Sequence, residues 1–182
     1  MYTYYLFDLD GTLTDPGEGI TNAAAYALEH FGIHVEDRRQ LYPFIGPPLM
    51  DAFQHYYGFS EKEAEEAVRT YRVYYREKGV HQNILYPGIT EVLETLHEQG
   101  KILAVATSKP EPFARQILEH FGLAQYFTFI GGATFDPSRS RKADVIRYVL
   151  ESLRVEDKSR VLMIGDRSHS SKPTTPTPVC VR

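Results

Sequence analysis

The sequence predicts an α/β protein built on a mostly parallel, doubly wound sheet, with a helical domain inserted after the first strand. Three observations lead there. Four short apolar runs alternate with helical patterns, which is the signature of βαβ units. A stretch between the first run and Gly88 carries no strand signal and is too long for a loop in a compact domain. Two acids, Asp8 and Asp10, directly follow the first run and precede Gly11, where open α/β sheets bind ligands at the carboxyl ends of their strands.

The runs Tyr4 to Phe7, Ile102 to Ala106, Tyr126 to Ile130 and Val161 to Ile164 read as strands. Ile89, Val92, Leu93 and Leu96 stripe a helix that Gly100 stops. Ser108 and Pro110, in N-cap and early-turn positions, open a second helix carrying Phe113, Ile117, Leu118 and Phe121 to a stop at Gly122. Val145, Ile146, Val149, Leu150 and Leu153 stripe a third.

Within the insertion, Ala23, Ala24, Ala27, Leu28 and Phe31 give a helix ending at Gly32, and Leu49 to Tyr57 give another after Pro47-Pro48. Ser60 and Glu63 form a capping box for the next, whose Ala64, Ala67, Val68, Tyr71 and Tyr75 line one face through to Gly79. Tyr71, Tyr74 and Tyr75 read as packing. These boundaries predict a core of residues 1–15 and 87–167 and a helical cap of residues 16–86 over the site. Residues 168–182 are rich in Ser, Thr and Pro and read as a disordered or aberrant tail.

Composition narrows the function. With 182 residues, 42% hydrophobic and 24% charged, the chain is an ordinary globular protein able to bury a core without disulfides. A net charge of -4 leaves no basic footprint and predicts no nucleic-acid partner. No apolar run is long enough for a bilayer and no leader pattern follows Met1, so neither a membrane span nor export is expected, and a cytoplasmic location is. The one cysteine, Cys180, excludes an internal disulfide.

Each strand end carries useful polar groups: Asp8 and Asp10 after the first, Thr107 and Ser108 after the second, Gly165-Asp166 after the fourth, with Lys142 opening the helix before it. Acids, a hydroxyl and a lysine converging on one crevice suit a phosphate held with a hard divalent cation. Thr107 or Lys142 alone would read as a turn residue and a solvated lysine. His34, His55 and His81 lack ligand spacing and are expected at the surface. Ser138 to Lys142 reads as a solvated basic loop, with a minor alternative in which Arg139 or Arg141 meets an anionic substrate.

Over residues 4 to 167 this set resembles the haloacid dehalogenase-like hydrolase superfamily, in the branch whose helical cap lies between the first and second motifs. Asp8-Leu9-Asp10-Gly11-Thr12-Leu13 matches the first motif, Val105-Ala106-Thr107-Ser108-Lys109 the second, Lys142 the third and Ile164-Gly165-Asp166-Arg167 the start of the fourth. The resemblance implies a Rossmann-like core, Asp8 as nucleophile forming an aspartyl phosphate, and Asp10 as acid and base. It implies Thr107, Ser108, Lys142 and backbone N–H groups after Asp8 as phosphate ligands, and Mg²⁺ held by Asp8, the Asp10 carbonyl and Asp166.

The substrate it implies is a small phosphorylated metabolite. Asp15 to Ile20, Phe44 to Leu49 and Thr107 to Pro110 look most like the 5'-nucleotidase-like branch, with phosphoglycolate phosphatases next. A sugar-phosphate mutase, or a degenerate phosphate-binding protein without activity, stays open. Ser170 stands where the family carries a second acid in its fourth motif, so weakened Mg²⁺ binding and low turnover are expected. The C-terminal part of the core also looks absent, which would leave strand Val161 to Ile164 as an uncovered edge, open to aggregation or pairing into a homodimer.

Overall fold

The computed structural model describes residues 1–166, which form two compact units: Met1–Asp15 with the residues from Leu85 on, and Pro16–Ile84. Ser170 and the expected tail at 168–182 lie outside the described residues. In chain order the elements are β1 (Tyr4–Phe7), β2 (Thr14–Asp15), α1 (Gly17–His30), α2 (Leu49–Tyr57), α3 (Glu61–Glu77) and β3 (Ile84–Leu85). There follow α4 (Ile89–Glu98), β4 (Ile102–Pro110), α5 (Glu111–His120), β5 (Phe129–Ala133), α6 (Lys142–Ser152) and β6 (Val161–Ile164).

The main sheet has the order β5-β4-β1-β6 with every pair parallel. Leu6 lies in register with Ala104 on one side and Met163 on the other. Strands covered on both faces must be apolar throughout, and Leu6, Leu103, Ala104, Val105 and Ala106 are all fully buried. α6 covers one face, packing Val145 and Val149 against Leu6, Ala104, Ala106, Ala133 and Val161. Strand alternation turns Phe7, Leu103 and Val105 the other way. α4 and α5 pack on β4, burying Leu93, Ile117 and Leu118.

Two sequence-based boundaries are corrected. The strand expected at Tyr126 to Ile130 is Phe129–Ala133, because Ala124–Tyr126 closes a single 3₁₀ turn. Phe127 is apolar for a different reason: it is a core anchor, edge-on to Phe7 at 6.1 Å between ring centroids. The second correction concerns Ser108 and Pro110, which belong to β4: Ser108 does not cap the helix, and Pro110 stands at its N-cap position and not in its first turn. After a register shift, Pro110 pairs with Ala133, and α5 starts at Glu111 with no side-chain cap.

In the second unit the small faces of α1 and α3 pack together, with Ala23, Ala24, Ala27, Ala64 and Ala67 fully buried. The Ser60–Glu63 capping box starts α3: the Ser60 side chain accepts from the Glu63 N–H and the Glu63 carboxylate accepts from the Ser60 N–H at 2.8 Å. Phe44, Phe53 and Phe59 form an aromatic cluster, with Phe53 and Phe59 stacked at 5.8 Å. Tyr71 and Tyr75 are buried and stacked on each other at 5.6 Å.

Candidate active site

Successive crossovers run from β1 to β4 to β5, and the chain then reverses direction to reach β6 on the far side of β1. Doubly wound sheets bind ligands at such a reversal, outside the carboxyl ends of the strands. The residues that follow β1 and β6 are Asp8 and Gly165-Asp166. They are close: a Cβ built on Gly165 would lie 3.5 Å from Asp8 Cβ.

Asp8 continues the ladder, donating its N–H to the Ile164 carbonyl at 2.9 Å. The chain then folds around Leu9, whose carbonyl accepts from the N–H groups of Thr12, Leu13 and Thr14. Leu9 and Leu13, both fully buried, anchor this loop. Gly11 takes φ +78°, and a Cβ there would meet Asp166 Oδ2 at 2.7 Å, so only glycine permits both the turn and the approach of Asp166. The Leu9 N–H donates to Asp8's own Oδ1 at 2.8 Å, so this first N–H after Asp8 orients the carboxylate in the structure described.

Two nearly dry lysines face the two acids. Lys142 Nζ lies 2.6 Å from Asp8 Oδ2, with side-chain exposures of 6% and 16%. Charge and hydrogen bonding from Asp8 both act on this ammonium. Burial pushes the Lys142 ammonium below the usual lysine value, against the opposing pull of Asp8, Asp10 and Asp166. The expected reading of Lys142 alone, a solvated lysine, therefore does not hold in this fold. Lys109 Nζ donates to both Asp10 oxygens, at 2.9 and 2.8 Å.

The remaining predicted residues divide. Thr107 is buried beside Lys109, and its hydroxyl accepts from the Lys109 N–H at 3.2 Å. Ser108 alternates outward and is exposed, while Asp166 is exposed at the end of β6. Among the described residues no three His, Cys, Asp or Glu side chains converge as a ready-made metal cluster. The donor set expected from the sequence, Asp8, the Asp10 carbonyl and Asp166, is all oxygen, a chemistry that suits a hard cation such as Mg²⁺. His34, His55 and His81 are all exposed.

Over residues 5–173 the sequence matches the family described as "Haloacid dehalogenase-like hydrolase". The chain belongs to that family. Among its relatives, the 5'-nucleotidase of Pseudomonas aeruginosa is 47% identical over 168 residues, covering 92% of this chain and 76% of that protein. The tyrosine-protein kinase PtkA of Mycobacterium tuberculosis is 44% identical over 164 residues. That match covers 90% of this chain but 55% of PtkA, so the chain spans about half of PtkA's length. The crystal structure of a predicted phosphatase from Clostridium acetobutylicum is similar at a TM-score of 0.85 and 50% identity, covering 92% of this chain and 77% of that one.

In this haloacid dehalogenase-like hydrolase, three residues near the site escape sequence reasoning. Lys109 pairs with Asp10 across 99 positions of sequence, a contact that no local pattern announces. Arg139 is not part of a solvated loop. Its guanidinium stacks 3.7 Å over the Tyr148 ring, donates to the Gly132 carbonyl at 2.9 Å and pairs with Glu111 at 3.2 Å. It thus ties the segment leading to Lys142 onto β5 and α5, while Arg141 stays exposed. Tyr86 has its phenol held above its usual value by burial, then by the negative field of Asp15, Asp166 and Asp10.

Proposed function

We propose that this chain is a Mg²⁺-dependent phosphomonoester hydrolase that works through an aspartyl phosphate on Asp8, with nucleoside 5'-monophosphates as its substrates. The observation that carries the reading is that the two acids of one loop are each paired with a buried lysine from a different element: Asp8 with Lys142 of α6, Asp10 with Lys109 of β4. The family match and the relatives named as phosphatases support phosphatase activity. The finer choice of substrate rests on the 47% identity to the P. aeruginosa 5'-nucleotidase and on the resemblance of the Asp15 to Ile20 and Thr107 to Pro110 segments to that branch.

In this reading an Asp8 oxygen attacks phosphorus and the bond to the leaving oxygen breaks, while Asp10 gives that oxygen a proton. Asp10 then takes a proton from the water that attacks the phosphorus of the aspartyl phosphate, freeing Asp8 and inorganic phosphate. Lys142 and Thr107 face the equatorial oxygens with the Ser108 N–H. A lysine in so dry a position acts on developing charge with little solvent screening. Asp8, the Asp10 carbonyl and Asp166 would hold Mg²⁺, which when bound neutralises charge on the phosphoryl oxygens. Residues 16–86 are proposed as the cap.

The test is a phosphate-release panel of nucleoside monophosphates, phosphoglycolate, pyrophosphate and sugar phosphates, with and without Mg²⁺, for wild type and Asp8→Asn. Release led by nucleoside monophosphates, dependent on Mg²⁺ and lost in Asp8→Asn, supports the reading; release that survives Asp8→Asn refutes it. The 44% identity to PtkA favours one alternative, transfer of phosphate to a tyrosine hydroxyl in place of water. ATP-dependent labelling of a tyrosine peptide, with no phosphate released from any monoester, would favour that alternative.

A further inference from the structure

We infer that Lys109 is the positioning residue for Asp10, aiming its carboxylate at the leaving oxygen of the substrate. This rests on the proposed role of Asp10 as the acid of the first step. Lys109 donates to both Asp10 oxygens, at 2.9 and 2.8 Å, which fixes the carboxylate's plane as well as its place. Its side chain is 5% exposed, so water does not compete for the ammonium. Asp10, at 25% exposure, keeps one open side. A carboxylate has about four lone-pair sites on its two oxygens, so one site can carry and pass on the proton while Lys109 holds others.

The backbone beneath Lys109 is built for this contact. β4 breaks register with β5 between Ala106 and Pro110, so the segment that holds Thr107 and Lys109 is irregular. The Lys109 N–H is anchored on the Thr107 hydroxyl at 3.2 Å, linking the lysine that holds Asp10 to the proposed phosphate ligand. The Lys109 carbonyl passes so near β5 that a Cβ on Gly132 would lie 2.7 Å from it.

A lysine that only neutralised charge or stabilised the fold would affect every substrate alike. A lysine that aims the acid matters where the leaving group needs a proton. Two esters separate these roles: p-nitrophenyl phosphate, whose phenolate leaves unprotonated, and a nucleoside 5'-monophosphate, whose alkoxide does not. We would measure kcat/KM for both in the full chain, since that ratio reports the first phosphoryl transfer whichever step limits kcat.

Lys109→Met should lose on the order of 10²-fold in kcat/KM on the nucleotide, in the lower range of a general acid's contribution, and under about tenfold on the aryl ester. Inhibition by inorganic phosphate should change little. Lys109→Gln retains one donor to Asp10 and should fall between wild type and Lys109→Met, with the same bias; it also serves if Lys109→Met fails to fold. Equal losses on both esters, or no loss, overturn the inference while leaving the hydrolase reading intact. Wild-type protein that releases phosphate from neither ester in an Asp8-dependent way overturns both.

Discussion

Replacing Gly11 by alanine perturbs one turn in two separable ways. At φ +78° an alanine Cβ pays the left-handed penalty, about 1–2 kcal/mol. For a chain of this length 1 kcal/mol moves Tm by about 2–4 °C, so a loss of roughly 2–8 °C is expected. The new Cβ also starts 2.7 Å from Asp166 Oδ2 and 2.8 Å from Asp166 Cγ, whereas ordinary contact begins at 3.4 Å. Because Asp166 is exposed, its carboxylate has room to turn away from the new Cβ, so this clash falls on the proposed cation site. Gly11→Asn separates the effects, since asparagine tolerates the left-handed region better than alanine yet still carries a Cβ. Thermal melts and Mg²⁺ activation curves provide the assay. Both variants should need more Mg²⁺ for half-activation, and the asparagine variant should melt nearer to wild type. Unchanged Tm in Gly11→Ala, or Mg²⁺ curves that overlay wild type, would refute the reasoning.

Other perturbations follow from the same geometry. Lys142→Met removes the charge facing Asp8 and should lower kcat by about 10²–10³-fold, checked by steady-state kinetics on protein with an unchanged circular dichroism spectrum. Gly132→Ala puts a Cβ 2.6 Å from the backbone of Glu111, which cannot yield as a side chain would, and should cost about 1–3 kcal/mol by denaturant titration. Glu63 is held below its usual carboxyl value by its hydrogen bonds to Ser60. Its contribution to stability is therefore complete above the free carboxyl range and lost as pH falls through the lowered value. Ser60→Ala should raise the Glu63 titration toward the free value by NMR and lower Tm by about 2–4 °C.

What could be read from the chain alone was local. The run ending at Phe7 and the following Asp-Leu-Asp-Gly placed Asp8 and Asp10 after a strand, and Val161 to Ile164 carries enough apolar character to mark its own bounds. The Ser60–Glu63 box lies within four consecutive residues and needs no tertiary help. The strand at β5 is legible, but its far end is not, because Gly131 and Gly132 are poor strand formers by propensity; they are required because Val149 and Glu111 leave no room for a side chain. The Arg139 run looked solvated because charged runs usually are, and only the packing of α6 brings Tyr148 under its guanidinium. Asp8 and Lys142 could each be named from sequence, but their contact, across more than a hundred residues, could not. Nor could the role of Lys109, which sits in the second motif beside Thr107 and looks there like one more polar residue at a strand end.

The central claim is that Asp8 carries the phosphoryl group during turnover. Rapid acid quench of wild-type protein mixed with Mg²⁺ and a nucleoside 5'-monophosphate, followed by mass analysis of the peptide containing Asp8, tests it most directly. The account predicts one added phosphoryl group on Asp8 that forms and decays at the rate of turnover, is released by hydroxylamine and is absent in Asp8→Asn. Continued turnover with that peptide never modified, or with the phosphoryl group on another residue, would contradict it.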